Sequence, residues 1–462
     1  MERLETLVDR LAAAVGAPLV RTGADVPADY ALDETLKAVG VPPAVVVTPT
    51  HTDHVAAVVR IAAELRVPVT ARGAGTGLCG ACIPSVGGLV VSFEHMADIL
   101  EIDTAGHTAV VQPGCTLATL DEATARVGLV YPVFPGTNAA SIGGNIATNA
   151  GGMRAVKYGV TRHQVLGLQA VTGTGEVIRS GGRFVKNTTG YDLTQLVVGS
   201  EGTLALVTEA TLRLHPRLQH VVSVLAPFAS IDEVAEVVPR IVASGVQPMI
   251  LEYIDRPTMK GLLRMNDLSL GIPDDIAART DAYLVVVLEG RTRSRLDEDL
   301  SDVAEQLGEA GAHDVYVLPA GQGADLLAAR ESAFWMVKAA GADDVIDMVV
   351  PRDRIPKYLR EVQRITAERG AKVFGCGHAG DGNIHFSVYE PDAHRRHDLL
   401  HDIYVMGMAM GGAISGEHGI GRTKRVHLAE LEDPVKLALQ RRIKDVFDPA
   451  GILNPGVLFE DV

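Results

Sequence analysis

The sequence predicts an α+β protein of two domains, and three observations carry the prediction. The chain has 462 residues, too many for one ordinary core. Its glycines fall in short bursts before residue 217 and again at 375–385 and 411–421. Between those regions strand-like and helix-like runs alternate without glycine bursts, the texture of an antiparallel sheet with flanking helices. The boundary lies just after Pro216, giving a first domain over 1–217 and a second over 218–414.

The elements follow in order. Leu4, Leu7, Val8, Leu11 and Val15 share one helical face, and Glu2, Glu5, Asp9 and Arg10 break any signal-peptide core. A strand over 44–48, an amphipathic helix over 53–65 and a strand over 67–72 make a βαβ unit. That unit runs into Gly73-Ala74-Gly75-Thr76-Gly77. Strands at 89–93, 99–103 and 107–112 and a helix at 116–127 come next. A polar, glycine-rich stretch fills 135–152, and a hairpin joins 169–171 to 177–179. A strand over 204–214 closes the domain. The second domain reads as strands at 221–225, 250–254, 283–288 and 315–318, with helices at 232–243, 295–310 and 354–369.

Composition narrows the function. A net charge of -15 argues against nucleic-acid binding, which needs a basic face. Four cysteines make no disulfide framework. Cys79 and Cys82 form a C-x-x-C within a Gly/Ala run and read as small buried residues. His107 and His163 read as structural. No apolar run reaches the ~18–20 residues of a membrane span. The expected location is the cytoplasm, with peripheral attachment to the inner face of the membrane as the alternative.

Two sets of residues carry chemistry. Backbone N–H groups can cradle a pyrophosphate, and only glycine lets the chain approach without a Cβ clash. Arg72 to Gly77 offers such a nest after a strand. No long amphipathic helix follows, so it fails the dinucleotide fingerprint and disfavours a NAD fold. The second set is Cys376-Gly377-His378-Ala379-Gly380-Asp381-Gly382-Asn383-Ile384-His385. Turn residues separate two strands. A hairpin there sets His378 directly across from His385, close enough to share a divalent cation. In Gly416-Glu417-His418-Gly419 the flanking glycines argue against helix. Glu417 can complete a His/His/carboxylate site while His418 faces a substrate. His394, His397 and His401 read instead as a solvated helix face.

Several segments together carry a resemblance. They are Arg72–Gly77, Ser141-Ile142-Gly143-Gly144-Asn145 through Gly151-Gly152, Lys157-Tyr158-Gly159, Lys186-Asn187-Thr188-Thr189-Gly190-Tyr191-Asp192 and Gly199-Ser200-Glu201-Gly202-Thr203. From about Pro42 to Leu458 the chain resembles the vanillyl-alcohol oxidase / p-cresol methylhydroxylase superfamily. The resemblance implies a two-subdomain FAD-binding domain plus a cap domain with an antiparallel sheet. It implies a C-terminal segment, 415–462, that returns to the FAD domain. By the same resemblance FAD contacts fall on Arg72, Gly73, Ala74, Gly75, Thr76, Gly77, Pro135, Thr137, Ser141, Gly143, Gly144, Thr148, Gly151, Glu201, Val207 and Asn454. The first loop holds no histidine or cysteine at the usual attachment position, so the expected FAD is non-covalent.

The histidine motifs resemble the branch holding D-lactate dehydrogenases, the glycolate oxidase flavin subunit and D-2-hydroxyglutarate dehydrogenase. That implies a metal, zinc or manganese, on His378, His385 and Glu417, and His418 as the base. It implies Arg330 as partner of the substrate carboxylate, with Asn383 orienting the substrate or a histidine. The expected reaction is oxidation of a D-2-hydroxy acid. Relatives acting on 2-hydroxyglutarate carry a lysine in the strand before Pro351, and Val345 to Val350 has none. A monocarboxylate, D-lactate or glycolate, is therefore favoured. Expected partners are an external electron acceptor (a quinone, an electron-transfer flavoprotein or an iron–sulfur subunit) and a second copy in a homodimer. The competing readings are a non-redox transferase of the alkylglycerone-phosphate synthase type and a non-catalytic subunit.

Overall fold

Alternating and clustered aliphatic residues decide which segments become walls of a core. A computed structural model describes residues 2–460. The chain divides into two compact units. The first is Met1–Ala150, Val160–Arg217 and Glu417–Val462, and the second is Gly151–Gly159 and Leu218–Gly416. Residues 151–159, which the sequence pattern leaves in the first domain, belong to the second unit.

The first unit holds two main sheets. One has β1 (Val20–Thr22), β2 (Val45–Val47), β3 (Val69–Arg72) and β4 (Leu89–Ser92) in the order β1-β2-β4-β3. β4 lies parallel to both β2 and β3, so the strands of the predicted βαβ unit are separated by a third. The helix Thr52–Leu65 covers this sheet, burying Val55, Val58, Val59 and Ile61. Each such side chain contributes roughly 1.5–3 kcal/mol. Arg66 ends the helix in the left-handed conformation. The N-terminal helix Glu2–Val15 packs Leu7, Leu11 and Val15 into the same core, while Leu4 stays exposed.

The second sheet has β5 (Ile99–Asp103), β6 (Thr108–Val111), β8 (Val165–Thr172), β9 (Val177–Gly181) and β10 (Ala205–Arg213) in the order β5-β6-β10-β8-β9. β7 (Leu129–Val130) and β11 (His215–Pro216) form a separate two-stranded ladder. The stretch 135–152, read from sequence as a glycine loop, contains a helix, Ile142–Thr148. Ser141 caps it, its hydroxyl accepting from the Gly144 N–H, and Ile142 and Ile146 anchor it in the core. Two core side chains outweigh the poor helix propensity of Gly143 and Gly144.

The second unit is one seven-stranded antiparallel sheet in the order β15-β12-β14-β13-β17-β18-β16. Its strands are β12 (His220–Phe228), β13 (Ile250–Asp255), β14 (Ala282–Gly290), β15 (Tyr316–Leu318), β16 (Asp344–Val349), β17 (Lys372–His378) and β18 (Asn383–Tyr389). The helices predicted from pattern form at Ile231–Ala243, Arg293–Glu309 and Ile355–Arg369. A capping box between Ser230 and Glu233 starts the first of them. No described helix is long and apolar enough to cross a membrane.

Candidate functional site

In the second unit the site is written into the register of four neighbouring strands. β17 and β18 pair so that His378 opposes Asn383 and Cys376 opposes His385. The two histidines are thus diagonal neighbours on one face and not directly opposed, as the turn residues alone suggested. Four residues, 379–382, form the turn, so the closing pair is His378 with Asn383. The imidazole rings still lie 4.9 Å apart, edge to face. Gly382 makes the turn possible: its φ is +90°, and a Cβ there would run into the Val350 carbonyl.

Each histidine has a buried acid as a cross-strand neighbour. β13 pairs with β17 through Tyr253–Gly377 and Ile254–Cys376. One step further on, Glu252 Oε1 meets His378 Nδ1 in a short hydrogen bond. The other oxygen of Glu252, Oε2, lies 2.8 Å from an Arg330 guanidinium nitrogen. β16 pairs with β18 so that Asp347 opposes His385, and Asp347 Oδ1 is 3.6 Å from His385 Nδ1. Asn383 donates to Asp347 Oδ1 at 2.8 Å, Ser415 to Oδ2 at 2.7 Å and the Gly416 N–H to Oδ2 at 3.1 Å. Burial pushes the Glu252 carboxyl up, but His378 and Arg330 together outweigh burial and hold it below its ordinary range.

Arg330 sits in the last turn of the helix Ala320–Glu331 and is buried. It is not a surface residue: Glu252 compensates its charge in the interior. Asn383, expected to orient substrate or histidine, orients the acid behind His385. The donor set suits a divalent metal. Two imidazoles share one face; His378 presents Nδ1 to Glu252, which leaves its Nε2 to ligate, while His385 Nδ1 stands 3.6 Å from Asp347, beyond hydrogen-bond reach. Neither Glu252 nor Asp347 was picked out from sequence. Both are single acids inside apolar strand runs, Ile250-Leu251-Glu252-Tyr253 and Ile346-Asp347-Met348, and that pattern was the available signal.

In the first unit, the glycine loop after β3 packs on the cap of the helix Ile142–Thr148. The Ala74 N–H donates to Ser141 Oγ at 3.2 Å, and a Cβ on Gly73 would collide with that hydroxyl. Within the helix start, the Ile142 N–H donates to Cys115 and the Gly143 N–H to Pro113. Among the described residues, the N–H groups of Gly75, Thr76 and Gly77 donate to nothing. They are a nest suited to a pyrophosphate, whereas the Ile142, Gly143 and Gly144 N–H groups are bonded within the protein. Arg72 turns inward, bonding the Leu32 carbonyl at 2.7 Å and covering the Tyr30 ring. Thr137 accepts from the Ala139 N–H, and Thr148 bonds back to the Gly144 carbonyl. Pro135 precedes that Thr137 turn, and Val207 lies at a bulge of β10. Gly151 falls in the second unit.

The loop Glu417–Gly421 hangs from Glu201. Oε1 and Oε2 of Glu201 accept the Ile420 and Gly421 N–H groups, each at 2.8 Å. Cys79 Sγ donates to the Gly419 carbonyl at 3.3 Å. His418 Nε2 lies 3.9 Å from Glu417 Oε1. Burial raises Glu201 to about 7, against the pull of the two N–H groups and Lys424. Asn454 ties this region together: its Nδ2 donates to the Ala81 and Glu201 carbonyls, and its Oδ1 accepts from Thr70. Cys82 is pushed up to about 12, chiefly by burial. The Cys82 thiol therefore stays protonated near neutrality, and no disulfide joins it to Cys79.

Residues 217–458 match the family described as FAD linked oxidases, C-terminal domain, and residues 43–181 match an FAD binding domain. The chain is 54% identical to an uncharacterised FAD-linked oxidoreductase of Mycobacterium tuberculosis, over 99% of this chain and 100% of the relative. It is 37% identical to a D-lactate dehydrogenase of Archaeoglobus fulgidus, over 92% of this chain and 94% of that one. The solved structure of p-cresol methylhydroxylase with substrate bound shares the fold. Its TM-score is 0.83 at 17% identity, covering 100% of this chain and 98% of that one.

Proposed function

The chain belongs to the FAD-linked oxidases, and from that premise we propose that it oxidises a D-2-hydroxy acid, D-lactate or glycolate by preference, to the 2-oxo acid. When bound, FAD supplies the hydride acceptor at N5, and a zinc or manganese ion acidifies the substrate hydroxyl. In this reading His378, His385 and Glu417 hold the metal. His418 takes the hydroxyl proton. Arg330 pairs with the substrate carboxylate, for which a planar fork of donors is suited. Residues Gly75 to Gly77 take the pyrophosphate of a non-covalent FAD. Electrons leave to an external acceptor, a quinone, an electron-transfer flavoprotein or an iron–sulfur partner subunit.

One observation carries the reading: two imidazoles on one sheet face, each backed by its own buried acid. Histidines that merely fill a core need one hydrogen-bond partner, not a row of acids at matching register. The monocarboxylate preference rests on β16, which reads Asp344 to Val349 with no basic residue.

The test is anaerobic mixing of the yellow protein with D-lactate, L-lactate, glycolate and D-2-hydroxyglutarate, with and without a chelator. The expected result is bleaching of the flavin band by one D-acid or glycolate, abolished by chelation. Bleaching that persists in metal-free protein removes the metal from the reaction. A flavin that none of these acids reduces sinks the dehydrogenase reading and favours the non-redox transferase.

A further inference from the structure

We propose that Glu252 is a positioning residue that couples metal capture to substrate-anion binding, because one carboxylate holds His378 with one oxygen and Arg330 with the other. The inference rests on the functional reading above, and it adds a residue that neither the motifs nor the family matches single out.

The geometry starts from the strand register. β13 and β17 are neighbours, and Glu252 lies one step beyond the Tyr253–Gly377 pair, opposite His378. A hydrogen bond from His378 Nδ1 to Glu252 Oε1 puts the ring's proton on Nδ1. That selects the tautomer with a lone pair on Nε2 and sets the ring's rotation. Oε2 meanwhile meets Arg330 at 2.8 Å. Glu252 is fully buried and Arg330 nearly so, so neither has water to replace the other. The arginine reaches this place from a helix, Ala320–Glu331, 78 positions along the chain from Glu252 (330 − 252). The shared acid links its position to that of His378.

A glutamine at 252 cannot serve both partners. Its single carbonyl oxygen can accept from His378 or from Arg330, and its amide then points N–H groups at the other. If the amide faces His378, the ring must flip its proton to Nε2 and loses its ligating lone pair. If it faces Arg330, the guanidinium is repelled and moves. In either orientation the carboxylate's charge is gone, so Arg330 loses its counter-charge and His378 loses the anionic acceptor that strengthens its ligating nitrogen, and one substitution disturbs two functions.

The experiment compares Glu252→Gln with Arg330→Met in the full chain. Zinc and manganese affinities are measured alone, by chelator competition on purified protein without hydroxy acid, and KM and kcat are then measured separately with D-lactate. In Glu252→Gln the metal affinity should fall about 10–100-fold and KM should rise as well. In Arg330→Met, KM should rise while metal affinity stays as in the parent. If Glu252→Gln alters KM alone or metal affinity alone, the coupling is refuted.

Should Glu252→Gln fail to fold, histidine ring-nitrogen NMR of the unsubstituted metal-free protein decides. The proposal requires His378 to carry its proton on Nδ1, and a proton on Nε2 overturns it. The same spectrum separates the two levels of argument. If the protein captures neither metal and no hydroxy acid bleaches its flavin, the functional reading fails. The grip of Glu252 on His378 is then still read from the ring nitrogens.

Discussion

Glu252 in the second unit and Glu201 in the first are both buried acids, and their surroundings drive them in opposite directions. Glu252 faces two cationic partners, His378 and Arg330, and is held below its ordinary range. Glu201 faces mainly backbone dipoles, the N–H groups of Ile420 and Gly421, and rises to about 7. Burial acts the same way on both. Two cationic partners in direct contact offset it at Glu252, whereas two peptide dipoles and the pull of Lys424 do not at Glu201. The difference teaches what each acid does: Glu252 fixes charged side chains, and Glu201 fixes a stretch of backbone.

The comparison can be broken most forcefully at Glu252. Replacing it with leucine leaves Arg330 buried without its counter-charge. We expect a loss of about 3–5 kcal/mol in urea unfolding. Adding Arg330→Met should recover most of that loss, since a buried pair replaced by apolar groups is often neutral. A double variant as unstable as the single one would mean that the pair is not the cause.

The next effect is at Glu201 and depends on pH. Its folded value of about 7 lies above its ordinary 4.5, so the folded state binds the extra proton between those values. Its stability contribution is complete below about 4.5 and is lost as pH rises through about 7. The parent protein should therefore lose up to about 3 kcal/mol more than Glu201→Gln between acid and mildly alkaline pH. Parallel stability curves for the two proteins would show that Glu201 does not titrate in this range.

A smaller effect tests the turn that sets the His pair. Gly382→Ala should cost about 1–3 kcal/mol and weaken zinc capture, read by melting and by chelator competition. The smallest is the exposed contrast. Arg364 pairs with Glu361 and Glu368 on a helix surface, and Arg364→Ala should leave the melting midpoint within the scatter of repeats. A clear shift there would undo the distinction between buried and surface charges.

Much of this was legible in the sequence. The antiparallel sheet of the second unit, its helices, and the His378–His385 hairpin follow from apolar periodicity and turn residues. What pattern cannot supply is register between strands far apart in the chain. Glu252 and His378 are 126 positions apart, and nothing local says that their strands are neighbours. The diagonal placement of the histidines escaped for the same reason: turn composition predicts a hairpin but does not count its closing pair. The helix at Ile142–Thr148 escaped because two glycines mask it, while its two isoleucines owe their effect to a core assembled from distant strands. Glu201 read as an FAD contact, and no local pattern foretells that its carboxylate accepts from Ile420 and Gly421. That pairing spans 219 positions.

The ties of Asn454 have a consequence for how the protein is made. Thr70 and Asn454 meet across 384 residues, and Leu453 bridges to Val69 at the open edge of its sheet. At a synthesis rate of about 5–20 residues per second, that edge waits roughly 20 seconds or more for its partner. Every strand of the second unit leaves the ribosome in the interval. The glycine loop that follows β3 is thus translated before every strand of the second unit and completed after them. A chain cut before Leu453 would leave the Val69 edge, translated long before, without its partner.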